Sequence, residues 1–140
     1  MIVTAKLEFS AAHRLHNPEH DAAWNRRVYD KCDNPAGHGH NYVVEVSVEG
    51  TVDPETGMVI DLKRLKDILR EQVIDRVDHK HLNEDVDFLR GVIPTAENLA
   101  IAFWKELDPA IDQGKLYQIK LHETGRNSVV YRGDKAPEMR

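Results

Sequence analysis

A single cysteine, Cys32, is all the thiol chemistry this 140-residue chain holds, so no internal disulfide can form and a reducing compartment is the simpler expectation. There is no cationic excess either. Nineteen Lys and Arg stand against 24 Asp and Glu, a net charge of -5, which excludes a broad basic face for nucleic acid or anionic lipid and leaves any anionic ligand to a local cluster. No apolar run approaches the ~18 residues of a membrane span. The N-terminus MIVTAKLEFSAAHRL lacks the basic segment, apolar core and cleavage site of a signal peptide, so a cytoplasmic chain with no membrane partner is expected. Repeats, low-complexity tracts and Ser/Gly linkers are missing too. With 8 Gly, 6 Pro and 41% hydrophobic residues, the composition excludes disorder and a collagen-like chain, and the length suits one domain. That domain is expected over 1–133, with a frayed tail over 134–140.

Histidine is what the chain has in plenty. Eight of them fall in clumps, at 13, 16, 20, 38, 40, 79, 81 and 122, and imidazole is both the commonest zinc ligand and the commonest proton-transfer group. Ile2 to Phe9 reads as a first strand. From Asn41, NYVVEVSVEG alternates Tyr42, Val44, Val46 and Val48 with Val43, Glu45, Ser47 and Glu49, the period of a half-buried strand. The turn DPETG then predicts a hairpin returning through Met58 to Ile60, with Met58 in the core. Asp61 is placed as the N-cap of an amphipathic helix through Leu62, Leu65, Ile68, Leu69 and Val73. Thr95 is the expected N-cap of a second helix, with Glu97 in its first turn, Leu99, Ala102, Phe103 and Leu107 as its stripe, and Pro109 as its stop. Leu116–Leu121 and Ser128–Arg132 form a closing hairpin. The order β, β-β, α, α, β-β predicts an α+β fold, an antiparallel sheet with both helices on one face. Trp24 and Trp104 read as packing residues.

His38-Gly39-His40 enters the second strand, where a period of two points both rings to one face, as two ligands of one metal require. His13, ending the first strand, is the candidate third ligand; otherwise it is a strand-end histidine satisfied by hydrogen bonds. Three His with an open position is the pattern of catalytic rather than structural zinc. Cys32 sits in a polar loop near Arg26, Arg27 and Lys31, which favours a lowered pKa and a thiolate base or nucleophile. A fourth metal ligand and an inert small residue are the rival readings. In Asp78-His79-Lys80-His81 a carboxylate adjoins an imidazole it can orient, unless this is only a solvated helix end. Glu123 either faces solvent beside its turn or grips a ring carrying N–H donors.

Taken together, FSAAHRL (9–15), CDNPAGHGHNYVVEV (32–46), VDPETGMVIDL (52–62), VDHKHLN (77–83), PTAENLA (94–100) and HETGRNSVVYRG (122–133) resemble the 6-pyruvoyl-tetrahydropterin synthase family, which includes the 6-carboxy-tetrahydropterin synthases of queuosine biosynthesis. The resemblance implies a tunnelling fold. In it a four-stranded antiparallel sheet carries two helices, and subunits join sheet to sheet into a barrel, stacked as a hexamer of two trimers. It implies Zn2+ on His13, His38 and His40, a general base at Cys32 with Asp78 and His79 as its partners, and a pterin anchor at Glu123 with Thr95 and Glu97 lining the pocket. Sites of this family form between subunits, so Cys32 and the Asp78-His79 pair are expected from different chains. The implied reaction is a zinc-dependent lyase step on 7,8-dihydroneopterin triphosphate, giving 6-pyruvoyl-tetrahydropterin and triphosphate. Arg14, Arg26, Arg27, Lys31 and Lys80 are the cations nearest the motifs for that triphosphate. The alternatives are 6-carboxy-tetrahydropterin synthesis and, from another class, a zinc- or pterin-binding protein without turnover. Five residues, Asp33 to Gly37, separate Cys32 from His38, a spacing that looks like the pyruvoyl branch.

Overall fold

The computed structural model describes residues 1–133, so the expected tail at 134–140 lies outside the described residues. β1 (Ile2–His13) and β2 (His38–Glu49) pair antiparallel over their whole lengths, from Ile2 opposite Glu49 to His13 opposite His38. Their alternation separates two faces. Ala5, Phe9, Ala11, Tyr42, Val44, Val46 and Val48 are buried on one, while Thr4, Lys6 and Glu8 are exposed on the other. The segment between them forms α1 (Ala22–Tyr29), which the sequence reading missed. Its start is fixed by Asp21, whose carboxylate accepts from the Trp24 N–H at 2.8 Å. The residue α1 buries is Asn25 instead of an apolar one, with its amide bonded to the main chain of Asn17 and Asp21.

The expected strand at Met58–Ile60 is not formed. The segment closes on itself, with Asp53 N–H donating to the Met58 carbonyl and Gly57 N–H to that of Asp53. Val59 and Ile60 drop into the core from this loop, but Met58 is 40% exposed and is not a core residue. Asp61 caps α2 (Leu62–Leu69) by accepting from Lys63 N–H, as expected. The helix runs on through a π turn, Arg70–Ile74, into the short α3 (Asp75–Val77). β3 (Lys80–His81) then pairs parallel to β1 at Ala11 and Ala12. Thr95 caps α4 (Ala96–Leu107), its hydroxyl accepting from Asn98 N–H at 3.1 Å, and a 3-10 turn at Pro109 ends it. β4 (Lys115–His122) and β5 (Ser128–Tyr131) make the expected hairpin.

The sheet is five-stranded, in the order β3-β1-β2-β4-β5, where the resemblance implied four antiparallel strands and the sequence pattern counted Met58–Ile60 as a fifth. The extra strand is β3, too short to carry a period and parallel to its neighbour. α2 and α4 lie on one face, as expected: Leu65, Ile68, Leu99 and Phe103 join Phe9, Tyr42, Val44 and Leu121 in one core. Burying side chains of this size contributes about 1.5–3 kcal/mol each. The opposite face is polar, with Thr4 bonded to Ser47 at 2.8 Å and His122 to Glu45 at 2.6 Å. Among the described residues, the outer edge of β1 has strand partners only at Ala11 and Ala12, which leaves most of its length open.

Candidate active site

Strand parity builds the site. His13 lies opposite His38 and Ala11 opposite His40, so the three imidazoles continue the core face beyond Phe9 and Tyr42, where the sheet opens. One ring nitrogen from each lies within 4.8 Å of the other two, and His13 Nε2 is 3.1 Å from His38 Nε2. His13 is 1% exposed, and its Nδ1–H donates to the Pro94 carbonyl at 2.8 Å. That bond fixes the tautomer that leaves Nε2 bare. Burial pulls the His13 pKa down to about 4 and pushes that of His40 down as well, so both rings enter the cluster neutral.

His40 Nε2 is buried with no hydrogen-bond partner among the described residues, its nearest carboxylate oxygen being Glu123 Oε1 at 3.8 Å. A buried, unsatisfied ring nitrogen beside two convergent imidazoles fits a metal ion, and three imidazole nitrogen donors suit zinc with an open fourth position. The Cys32 sulfur is outside this group, which leaves the fourth-ligand reading without support.

Glu123 keeps the inward parity of Leu121 just past the end of β4, and its N–H donates to the Asn127 carbonyl at 3.0 Å. Its side chain is 23% exposed, so the carboxylate is held beside His40 with a path to solvent. Cys32 lies in a 3-10 turn, Asp30–Asp33, after α1. Its thiol is pushed up, first by burial and then by the negative charges of Glu123 and Asp30. This corrects the expectation of a lowered pKa, because Arg26, Arg27 and Lys31 are exposed and the carboxylates are what the sulfur faces.

Asp78 and His79 stand at the other side of the sheet. The Asp78 carboxylate accepts from Ser10 N–H at 2.9 Å, which is the main reason its pKa is lowered, and lies 3.0 Å from His79 Nδ1. His79 adopts a left-handed φ of 61°, fixed by its N–H donating to the Ser10 carbonyl, and its ring is 83% exposed. Asp78-His79 lead into β3 and Glu123 follows β4, with β1 and β2, the strands that carry the three histidines, between them. His40 and His79 both border a cleft of about 450 Å³ with Ser10, Asn41 and Lys80.

A model of the 6-pyruvoyl tetrahydropterin synthase family matches residues 2–134. The chain belongs to that family. Relatives named 6-pyruvoyl tetrahydrobiopterin synthase include one from Poecilia reticulata, 46% identical over 94% of this chain and 90% of the relative, and one from Homo sapiens, 42% identical over 94% and 91%. The solved 6-pyruvoyl tetrahydropterin synthase of Caenorhabditis elegans superposes with a TM-score of 0.87 at 42% identity, covering 96% of this chain and 97% of the other.

Within this synthase family member, Thr95 follows Pro94, the residue whose carbonyl holds His13, and Glu97 is exposed on the first turn of α4. Pro94 was missed by sequence reasoning because a backbone acceptor has no side-chain signature. Tyr42 was read only as a strand residue, yet its hydroxyl lies 3.2 Å from His13 Nδ1. Arg14, grouped by sequence with the cations for triphosphate, is engaged by Asp33 at 3.1 Å.

The place of Glu123 carries an expected result. A carboxylate accepts from two N–H donors at once, whereas a carboxamide offers a donor in place of one acceptor. Glu123→Gln should weaken pterin binding in a titration, leave zinc content unchanged and lower the Cys32 pKa by removing a facing negative charge. Wild-type pterin affinity in this variant returns Glu123 to a solvated turn.

Proposed function

We propose that the protein is a 6-pyruvoyl-tetrahydropterin synthase: a zinc-dependent carbon-oxygen lyase that converts 7,8-dihydroneopterin triphosphate to 6-pyruvoyl-tetrahydropterin and triphosphate. The observation that carries the reading is the unsatisfied His40 nitrogen, converging with His13 and His38 next to the Glu123 carboxylate. The reaction balances internally. The pterin ring gains two hydrogens, the substituent on it is oxidised to the diketone, and triphosphate leaves, so no outside reductant is needed. His13, His38 and His40 would hold zinc, which when bound would supply positive charge to polarise the oxygens of that substituent and acidify the hydrogens on its neighbouring carbons. Glu123 anchors the pterin through its amino group and ring N–H, with Thr95 and Glu97 lining the pocket. Cys32, as thiolate, removes a proton from a carbon of the hydroxylated substituent. His79, oriented by the Asp78 carboxylate, carries the second proton. Arg26, Arg27, Lys31 and Lys80 are exposed cations available to the triphosphate.

Residues 1–133 form one synthase domain in this reading, in the cytoplasm. A binding protein without turnover has no use for a thiol and an Asp-His pair around its metal. The 6-carboxy product uses the same residues, and the names of relatives at 42–46% identity favour the pyruvoyl product. Incubation with dihydroneopterin triphosphate and identification of products by mass decides between them, and recovery of the 6-carboxy compound overturns the assignment.

The open β1 edge and the exposed His79 ring support a homohexamer, two stacked trimers, in which Cys32 of one subunit meets Asp78-His79 of the next. Co-folding inactive Cys32→Ala with inactive His79→Ala subunits tests this. Sites shared between subunits regain about a quarter of wild-type activity, because random mixing leaves that share of sites with both residues intact. Pairs working within one subunit, across the cleft that His79 and His40 border, regain none.

A further inference from the structure

The mechanism leaves unused a polar cluster at the mouth of the loop between β1 and β2. Residues 14–16, which prolong β1 beyond His13, grip residues 32–33 through four contacts. Leu15 N–H donates to the Cys32 carbonyl at 2.8 Å and Arg14 Nε–H to the Asp33 carbonyl at 2.9 Å. The Asp33 carboxylate takes Arg14 Nη2 at 3.1 Å and His16 Nδ1 at 2.6 Å on the same oxygen. All three side chains are largely shielded, at 27%, 15% and 27% exposure for Arg14, Asp33 and His16. The main chain of Arg14 is held from the other side by one amide: its N–H donates to Asn83 Oδ1 and its carbonyl accepts from Asn83 Nδ2, both at 2.8 Å. Asn83 lies just past β3, in the segment that carries Asp78 and His79.

Arg14 therefore ties together three parts of the machinery: the end of β1, the Cys32 turn and the segment after β3. It follows a metal-ligand candidate, its guanidinium spans the backbone and side chain of the residue after Cys32, and its peptide groups are locked to the β3 turn. We propose that Arg14 is a positioning residue, which with Asp33 and His16 clamps the Cys32 turn against the end of β1 and holds the sulfur in reach of the substrate. The proposal rests on Cys32 acting as the base. A fork is needed here because two acceptors in different directions must be met together, which the single ammonium of Lys cannot reproduce. Neutralising Asp33 also keeps a third carboxylate from acting on a thiol that already faces Glu123 and Asp30.

The test uses the zinc-loaded oligomer and three variants: Arg14→Gln, Arg14→Lys and Asp33→Asn. Turnover of dihydroneopterin triphosphate is measured beside the rate at which iodoacetamide alkylates the thiol, which reports Cys32 alone because the protein has one cysteine. Arg14→Gln should lower kcat by roughly 10–100-fold, the scale of an ångström of misplacement, with KM within about threefold and zinc retained. Alkylation near pH 8 should quicken by about tenfold as the turn swings into water and the thiol regains an ordinary pKa. Arg14→Lys and Asp33→Asn each keep part of the clamp and should fall between, and they carry the test if Arg14→Gln does not fold. Wild-type kcat and wild-type alkylation in all folded variants overturn the clamp. Full turnover in Cys32→Ala instead overturns the base assignment, while the alkylation rates still judge the clamp.

Discussion

Cys32→Ala should lower turnover by roughly 10²–10⁴, the usual worth of a positioned general base, with zinc, fold and pterin affinity kept. The sulfur is no part of the metal cluster and its half-buried turn is held by backbone bonds, so removing it leaves the rest in place. Cys32→Ser should fare little better, since an unactivated hydroxyl is a much weaker base than a thiolate. The pH profile supplies a second check. For the proposed base the deprotonated thiol is the working form, and burial with Glu123 and Asp30 moves its titration to higher pH, so wild-type activity should still be rising through the ordinary thiol range. An activity plateau reached below neutrality assigns the first proton to another group, with His79 and His81 next in line. Loss of zinc in Cys32→Ala makes the residue a ligand and the site closed.

His13→Ala should abolish zinc binding and bring turnover to background. His13 is the innermost of the three rings, locked by the Pro94 carbonyl, and its removal leaves two donors where a tightly held zinc needs at least three. His38→Ala, at a more accessible ring, should give the same loss with less disturbance of the core and so separates metal loss from misfolding. Metal analysis after gel filtration reads both, with one zinc per subunit expected in the wild type. Full zinc retention in either variant removes that residue from the site.

The histidine cluster was legible because it obeys the arithmetic of a strand. A period of two put His38 and His40 on one face, and the spacing of paired strands brought His13 to them. The N-caps Asp61 and Thr95 were legible for the same local reason, a side-chain acceptor one turn ahead of an apolar stripe. What stayed hidden depends on partners distant in sequence or on the backbone. The apolar run Met58–Ile60 reads as a strand, but an apolar run suits a loop tucked into the core equally well, and here Val59 and Ile60 are buried from a loop while Met58 is exposed. α1 buries an asparagine, so no apolar stripe announced it. The charge around Cys32 was misjudged because Arg26, Arg27 and Lys31 are near in sequence, whereas Glu123 arrives from the far end of the protein.

The register that sets His13 opposite His38 also gives a bound ion a mechanical role. The two rings stand 25 residues apart in sequence, across the loop that contains α1 and Cys32. A metal gripping both is a cross-link of the kind a secreted protein makes with a disulfide. On loop-closure entropy alone such a tie is worth on the order of 3 kcal/mol. Because neither bare strand end offers the ion a preformed site, its affinity is drawn from the folded state and adds to that state's stability. In a protein with one thiol, an ion bound here would be a reversible staple, and a chelator would act on it as a reductant acts on a cystine.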